Sequence, residues 1–405
     1  MKKSFLKPLT YGMALMALVS FSSCSEDDEP KNPGTDGEQT EAKPFEGTLI
    51  DDDITSSVIL ESGKEYTLRG GVHVKAPATL VIEPGVKIVA EDLGTSNVTY
   101  ILVEQGAKIE AEGTAEKPIV MTCERKEAGA WGGLHICGRA PINLESVGKS
   151  EIGNADFGGT DAADNSGKLK YVRLEYTGVS LNEETESNGL TLYGVGNGTE
   201  ISYVQAYKGA DDGIEFFGGT VNVDHCVVVN CTDDSYDWTY GWCGEGKYLV
   251  AYQEPKEVVG EECDCLIEAD NNGDNNTLVP VSHPVLSNLT LVGNNSSVNK
   301  RGIRLREGTQ VTLSNCQVTG KSKPLTVESK ETDQALADGI SKITNVALSG
   351  VFTNEYENGK YTSDKFLAGG NLENQNIVLT DRFVGMTDGR GAVEASNMWM
   401  SGWTL

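Results

Sequence analysis

Basic residues are scarce in this chain: 33 lysines and arginines stand against 60 aspartates and glutamates, a formal net charge of −27 at pH 7. That deficit makes DNA or RNA an unsuitable partner, because polyanions are held by basic patches. Histidines number only four. None of His73, His135, His225 and His283 has a partner at metal or general-base spacing, so all four are expected to be structural or surface residues. No serine stands in a nucleophile-elbow or triad context. Nine cysteines are present, but no second pair at zinc-ligand spacing accompanies Cys263 and Cys265, so a zinc site is not expected. Cys226 and Cys316 fall at apolar positions and are expected as buried free thiols, with a loop disulfide such as Cys243 to Cys263 next in line. No convincing amphipathic helix longer than two turns appears, which leaves an all-β chain. Its 47 glycines are read as suppliers of positive φ at tight corners.

Residues 1–23 combine Lys2, Lys3 and Lys7 with the apolar run MALMALVSF, the pattern of an export signal too short to span a membrane. Ser22 and Ser23 directly before Cys24 give the lipoprotein form of the cleavage site. Cys24 is therefore expected to carry the lipid and to anchor the chain to a membrane through buried methylenes. Residues 24–44 are rich in acid, Pro, Gly and Thr and cannot bury enough apolar surface to fold, so they read as a disordered tether. The remainder, 45–405, reads as one domain, expected to act as a monomer.

The positive evidence for a fold is a short internal period. EPGVKIVAE at Glu83 returns 21 residues later as EQGAKIEAE at Glu104, and DDGIEF at Asp211 returns 22 residues later as DDSYDW at Asp233. A unit of that length with alternating apolar positions and glycine corners matches one rung of a stacked β-coil. First strands align as GLHI (Gly133), GLTL (Gly189), GIEF (Gly213), SYDW (Ser235), LIEA (Leu266), GIRL (Gly302) and PLTV (Pro324). Second strands align on Val172, Val204, Cys226, Leu249, Leu289, Cys316 and Val346. The pattern predicts a right-handed parallel β-helix with a core of aliphatic columns, an N-terminal cap over 45–78, coils over 79–353 and a C-terminal cap over 354–405. Asn288, Asn315 and Asn345 share one position, which predicts a structural Asn ladder. Trp399 and Trp403 are expected to cover the last rung or, alternatively, to offer a glycan-stacking platform.

In such a coil the residue between the two apolar positions of the first strand points outward. That column reads Thr191, Glu215, Asp237, Glu268, Arg304, Thr326. Two more columns, Ser187-Asp211-Asp233-Asp264-Lys300 and Asn188-Asp212-Asp234-Cys265-Arg301, repeat the same change from acid to base. Carboxylates stacked about 4.8 Å apart repel unless they are protonated, paired or bridged by a cation. Calcium suits such oxygen-rich corners, and Asp211, Glu215, Asp233 and Asp237 are the expected ligands. Asp212, Asp234, Arg301 and Arg304 are the expected ligand-binding residues, with the arginines suited to an anionic sugar. The same spacing also serves paired carboxylates that act on a polysaccharide. In that case Glu215, Asp237, Glu268 and Arg304 are the catalytic candidates.

WGGLHICGRAPIN at Trp131, DDGIEFFGGTVNVDHCVVVNCTDDSYDWTYGW at Asp211 and GIRLREGTQVTLSNCQVTG at Gly302 resemble the exported β-helix lipoproteins of Bacteroidota-type bacteria, and SEDDE after Cys24 resembles their surface-export signal. At fold level the chain is similar to pectin-degrading β-helix enzymes, although their Gly-His-Gly element is missing. The resemblance implies an outer-membrane, cell-surface lipoprotein. Three functions stay open: a binder of extended ligands, foremost glycans, on an acidic outward face; a lyase or hydrolase acting on uronate-containing glycan; and a surface scaffold or adhesin.

Overall fold

The computed structural model of the protein describes residues 41–180, 187–380, 383–386 and 388–405. The signal segment, Cys24 and most of the tether lie outside these residues. Among the described residues the chain is a parallel β-helix. Its strands form a 16-stranded and a 10-stranded sheet in which the ladders are parallel, beside a two-stranded antiparallel ribbon of Gly148–Lys149 and Asp156–Phe157. The three helices are short, the longest being Lys330–Ala337, whose N-cap Ser329 accepts from the Thr332 amide.

The register of the first strands follows from the sequence pattern. Leu134, Leu190, Ile214 and Tyr236 stack as neighbours, and so do Ile267, Ile303 and Leu325. All are buried in one continuous apolar core. A slip of one residue would turn that column outward, so burial holds the register. The 22-residue DDGIEF repeat is a true vertical repeat, since Glu215 lies directly under Asp237. The 21-residue repeat is not. Lys87–Ala90 pairs with Glu65–Leu68 and Ile119–Cys123, whereas Lys108–Glu112 pairs with Thr79–Ile82. The N-terminal rungs have three strands each, and the similar segments occupy different walls of the coil.

The two walls fuse at Gly167–Glu175. Its first half pairs with Lys108–Glu112 and its second half with Ile119–Cys123. The long strands that follow bend at one residue in the left-handed region: Tyr171, Tyr203, His225, Tyr248, Asn288, Asn315 and Asn345, with φ between 50° and 61°. The asparagines form the expected ladder, with Asn345 Nδ2 donating to Asn315 Oδ1 at 2.7 Å and Asn315 Nδ2 to Asn288 Oδ1 at 3.2 Å. Below them the same position is aromatic, with rings stacked 4.4, 4.7 and 4.6 Å apart from Tyr171 to Tyr248.

Three expectations are corrected. Residues 45–78 are not a separate cap, because strands from Lys43 onward already pair in parallel with the coil. The last rung is covered instead by Phe366 of the helix Ser363–Ala368, stacked on Phe352. Trp399 and Trp403 lie on the flank of the middle rungs, against Tyr171, Tyr203 and His225. Leu405 ties this return segment down by donating its amide to Gln205 Oε1. The thiols of Cys226 and Cys316 are buried and free as expected, but Cys243 and Cys263 are free as well.

Candidate functional site

Stacking brings His135, Thr191, Glu215, Asp237, Glu268, Arg304 and Thr326 into one vertical column. The column is not an open acidic face along the molecule. His135 and Thr326 are fully buried at its two ends, and Glu215 and Glu268 are each only 9% exposed. What remains is a polar recess of about 250 Å³, lined by Glu151, Asn188, Asp211, Asp212, Glu215, Asp233, Asp234, Asp237, Asp264, Glu268 and Arg304. Glu151 enters from the segment that joins Leu134–Cys137 to Leu190–Tyr193, held by the Tyr193 hydroxyl at 3.2 Å.

The acids divide into compensated and uncompensated groups. Glu268 receives Arg304 at 2.7 Å and Arg306 at 2.5 Å, and Arg306 also forks onto Asp270 at 2.7 and 2.8 Å. Arg304 is shared with Glu328 at 3.1 Å. Arg301 lies outside the recess and is occupied by Glu328 and Glu355 at 2.6 and 2.7 Å. Both arginines expected to hold an anionic sugar are therefore already paired with carboxylates. Arg306, two residues beyond Arg304 on the same strand face, was not anticipated, although strand alternation makes it readable.

Asp212 and Asp234 serve the stack itself. Asp212 Oδ1 accepts from the Asp234 amide at 2.9 Å, and Asp234 Oδ1 from the Cys265 amide at 2.6 Å, so each carboxylate caps the backbone of the next rung. Asn188 donates to Glu215 at 2.5 Å. Among the described residues no ion pair joins Asp212, Glu215, Asp234 or Asp237 to a base. Burial, and then the neighbouring carboxylates, push all four well above the usual carboxylate range. Asp237 Oδ1 is buried without a hydrogen-bond partner.

The expected cation ligands do not form one set; Asp233 groups with Asp234 and Asp264, and two further triads share Asp212. Asp211, Asp212 and Asp233 form one, and Asp212, Glu215 and Asp237 the other, each with ligand atoms within 4.8 Å of one another. Asp212 joins them. These oxygen donors, with one orphaned carboxylate oxygen, fit a hard divalent cation. A further group, Asp234, Cys265 and Glu268, adds a thiol that burial keeps protonated.

The histidines stand apart from the recess. Burial pushes His135 down to about 4, so its ring is neutral, with Nε2 2.6 Å from the Gly132 carbonyl. His73 sits between Glu104 at 2.8 Å and the Tyr100 hydroxyl at 3.0 Å, four rungs from Glu215 in the same column.

A family model for a pectate-lyase-like β-helix domain matches residues 52–404. The chain belongs to that family. Neither the curated proteins nor the solved structures gave a match. The pectate-lyase-like β-helix domain thus accounts for the coil and for the outward column on its 10-stranded wall, and membership leaves the chemistry to be argued from the recess.

Proposed function

We propose that this β-helix domain binds glycan at the acidic recess through a divalent cation, calcium in the first instance, and is presented at the outer surface of the cell by a lipid on Cys24. The observation that carries the reading is the convergence of Asp211, Asp212, Glu215, Asp233 and Asp237 on one small recess, with the Asp237 oxygen left unsatisfied. In so acidic a pocket a uronate cannot approach a bare carboxylate cluster. A bound cation reverses the local field and supplies open coordination positions for carboxylate or hydroxyl oxygens of a sugar. The recess volume suits one sugar unit at the cation, so an extended glycan would be held at a point rather than along the whole coil.

A second reading, polysaccharide cleavage, is favoured by one specific feature. Asp212, Glu215 and Asp237 bring carboxylate oxygens within 4.8 Å, and burial and their mutual repulsion raise their pKa values, so that one member can hold a proton as acid while another stays ionised as nucleophile or base.

The test is calorimetric titration of the mature chain with calcium, then with oligogalacturonates and neutral oligosaccharides, with product analysis on each mixture. Calcium binding, and uronate binding that depends on calcium and is lost in Asp237→Asn, are the expected results. Absence of calcium binding overturns the reading. Chain shortening of the glycan replaces binder by enzyme, and silence throughout leaves a scaffold or adhesin.

A further inference from the structure

A larger cavity, of about 830 Å³, lies on the other wall of the coil. Its floor is the line of left-handed residues Tyr203, His225, Tyr248 and Asn288, and its roof is the C-terminal return segment, including Arg390 and Glu394. That segment is tied at both ends of the cavity. On one side the Gly391 amide donates to Asn315 O at 2.9 Å and the Ala392 amide to Thr290 Oγ1 at 2.9 Å. On the other, Trp403 is buried against Tyr171 and Tyr203, and Trp399 Nε1 donates back to Ala392 O. Between the ties, exposed residues 394–397 arch over the aromatic floor, closed by a bridge between Glu394 and Asn397.

The lining selects a class of ligand. Both basic side chains of the lining already have acidic neighbours: Arg390 is paired with Asp388 and donates to Asn345 O, and His225 Nδ1 lies 2.8 Å from Asp224. In a chain of charge −27 this cavity offers no uncompensated base to draw in an anion. A purely apolar guest would take water from the Asn288 side-chain N–H donors and the tyrosine hydroxyls without replacing it. Ring surface interleaved with hydrogen-bonding groups, in a cavity of ligand size, suits a guest with apolar C–H faces and peripheral hydroxyls. We propose that this groove is a second carbohydrate site, independent of the acidic recess, that takes an uncharged oligosaccharide beneath the C-terminal arch. Tyr248, 37% exposed and the last ring of the stack, is its platform.

The experiment is titration of the mature chain, in EDTA, with xylo-, cello-, malto- and manno-hexasaccharides, with oligogalacturonate as the charged comparison. EDTA silences any cation-dependent binding at the recess, so failure of one site is separable from failure of the other. At least one neutral hexasaccharide is expected to bind. Tyr248→Ala and Glu394→Gln should each weaken it by about tenfold or more, while Asp237→Asn leaves it unchanged. Both substituted side chains are exposed, and matching melting curves establish that the variants are folded. No binding of any neutral hexasaccharide overturns the proposal. So does binding that survives both variants, or binding abolished by Asp237→Asn.

Discussion

Two aspartates three residues apart in the chain illustrate how a column of like charges is tolerated. Asp234 accepts the Cys265 amide and so is part of the backbone ladder, whereas Asp237 carries a buried oxygen with no donor. Their substitution should act in opposite directions. Asp234→Ala leaves a buried N–H unpaired and is expected to cost about 1–3 kcal/mol. Asp237→Asn removes a charge that burial and the acids around it disfavour, and in the presence of chelator it should raise stability by about 1 kcal/mol. Urea midpoints of the two variants against the parent decide the matter. A loss in both would mean that Asp237 is as structural as Asp234. The same Asp237→Asn variant should lose the calcium-induced rise in melting temperature that the parent shows.

At the scale of the element, the bend in each long strand is the feature that residue type controls most directly. Asn315 has φ of 54°, donates to Asn288 and accepts from Asn345. Asn315→Ala loses both bonds and places a poorly tolerated side chain in the left-handed region, for about 2–4 kcal/mol. Asn315→Gly loses the bonds but keeps the conformation, and about half that cost is expected. Equal losses in denaturant titration would remove the backbone contribution. This ladder was legible in the sequence, as was the vertical order Glu215, Asp237, Glu268, Arg304, because both follow from register, which every rung restates. Corner glycines such as Gly85 and Gly106 do supply the positive φ expected of them, whereas Gly189, Gly213 and Gly302 of the first-strand column do not. Gly213 lacks a positive φ, and a Cβ there would meet Val228 Cγ1 at 2.3 Å, so close packing excludes a side chain. What could not be read was anything that lies over the coil. The entry of Glu151 into the recess and the return of Trp399 and Trp403 to the middle rungs depend on contacts between segments far apart in sequence, which no period encodes.

Across the whole molecule, the C-terminal segment acts as a clasp on the flank rather than as a lid on the end. Trp403 is fully buried on Tyr171 and Tyr203, and Trp403→Ala should cost about 3–5 kcal/mol. Amide exchange should locate the damage. Protection is expected to fall in Gly167–Glu175 and Glu200–Tyr207, and to hold at Phe352–Asn354, where Phe366 is the cover.

The acidic recess gives the molecule a pH dependence whose sign is fixed by proton binding. Asp212, Glu215, Asp234 and Asp237 have folded-state pKa values raised by burial and by one another, whereas the unfolded chain titrates near 4. Between those limits the folded state binds more protons, so stability falls as pH rises through the window and is regained as pH is lowered toward about 5. In chelator, the melting temperature should therefore climb on going from pH 8 to pH 5, opposite to an acid-labile protein held by ion pairs. A cation bound to the two triads that share Asp212 neutralises three of these carboxylates, Asp212, Glu215 and Asp237, without protons. Added calcium should raise the melting temperature most at pH 8, by mass action, and little at pH 5, where protons compete for the ligands. Melts at both pH values, with EDTA and with calcium, measure the four numbers needed. A calcium effect of equal size at pH 5 and pH 8 would place the ion elsewhere than on these buried acids. No pH trend in chelator would mean that the four carboxylates are ionised in the folded state and compensated by charges other than Arg304 and Arg306.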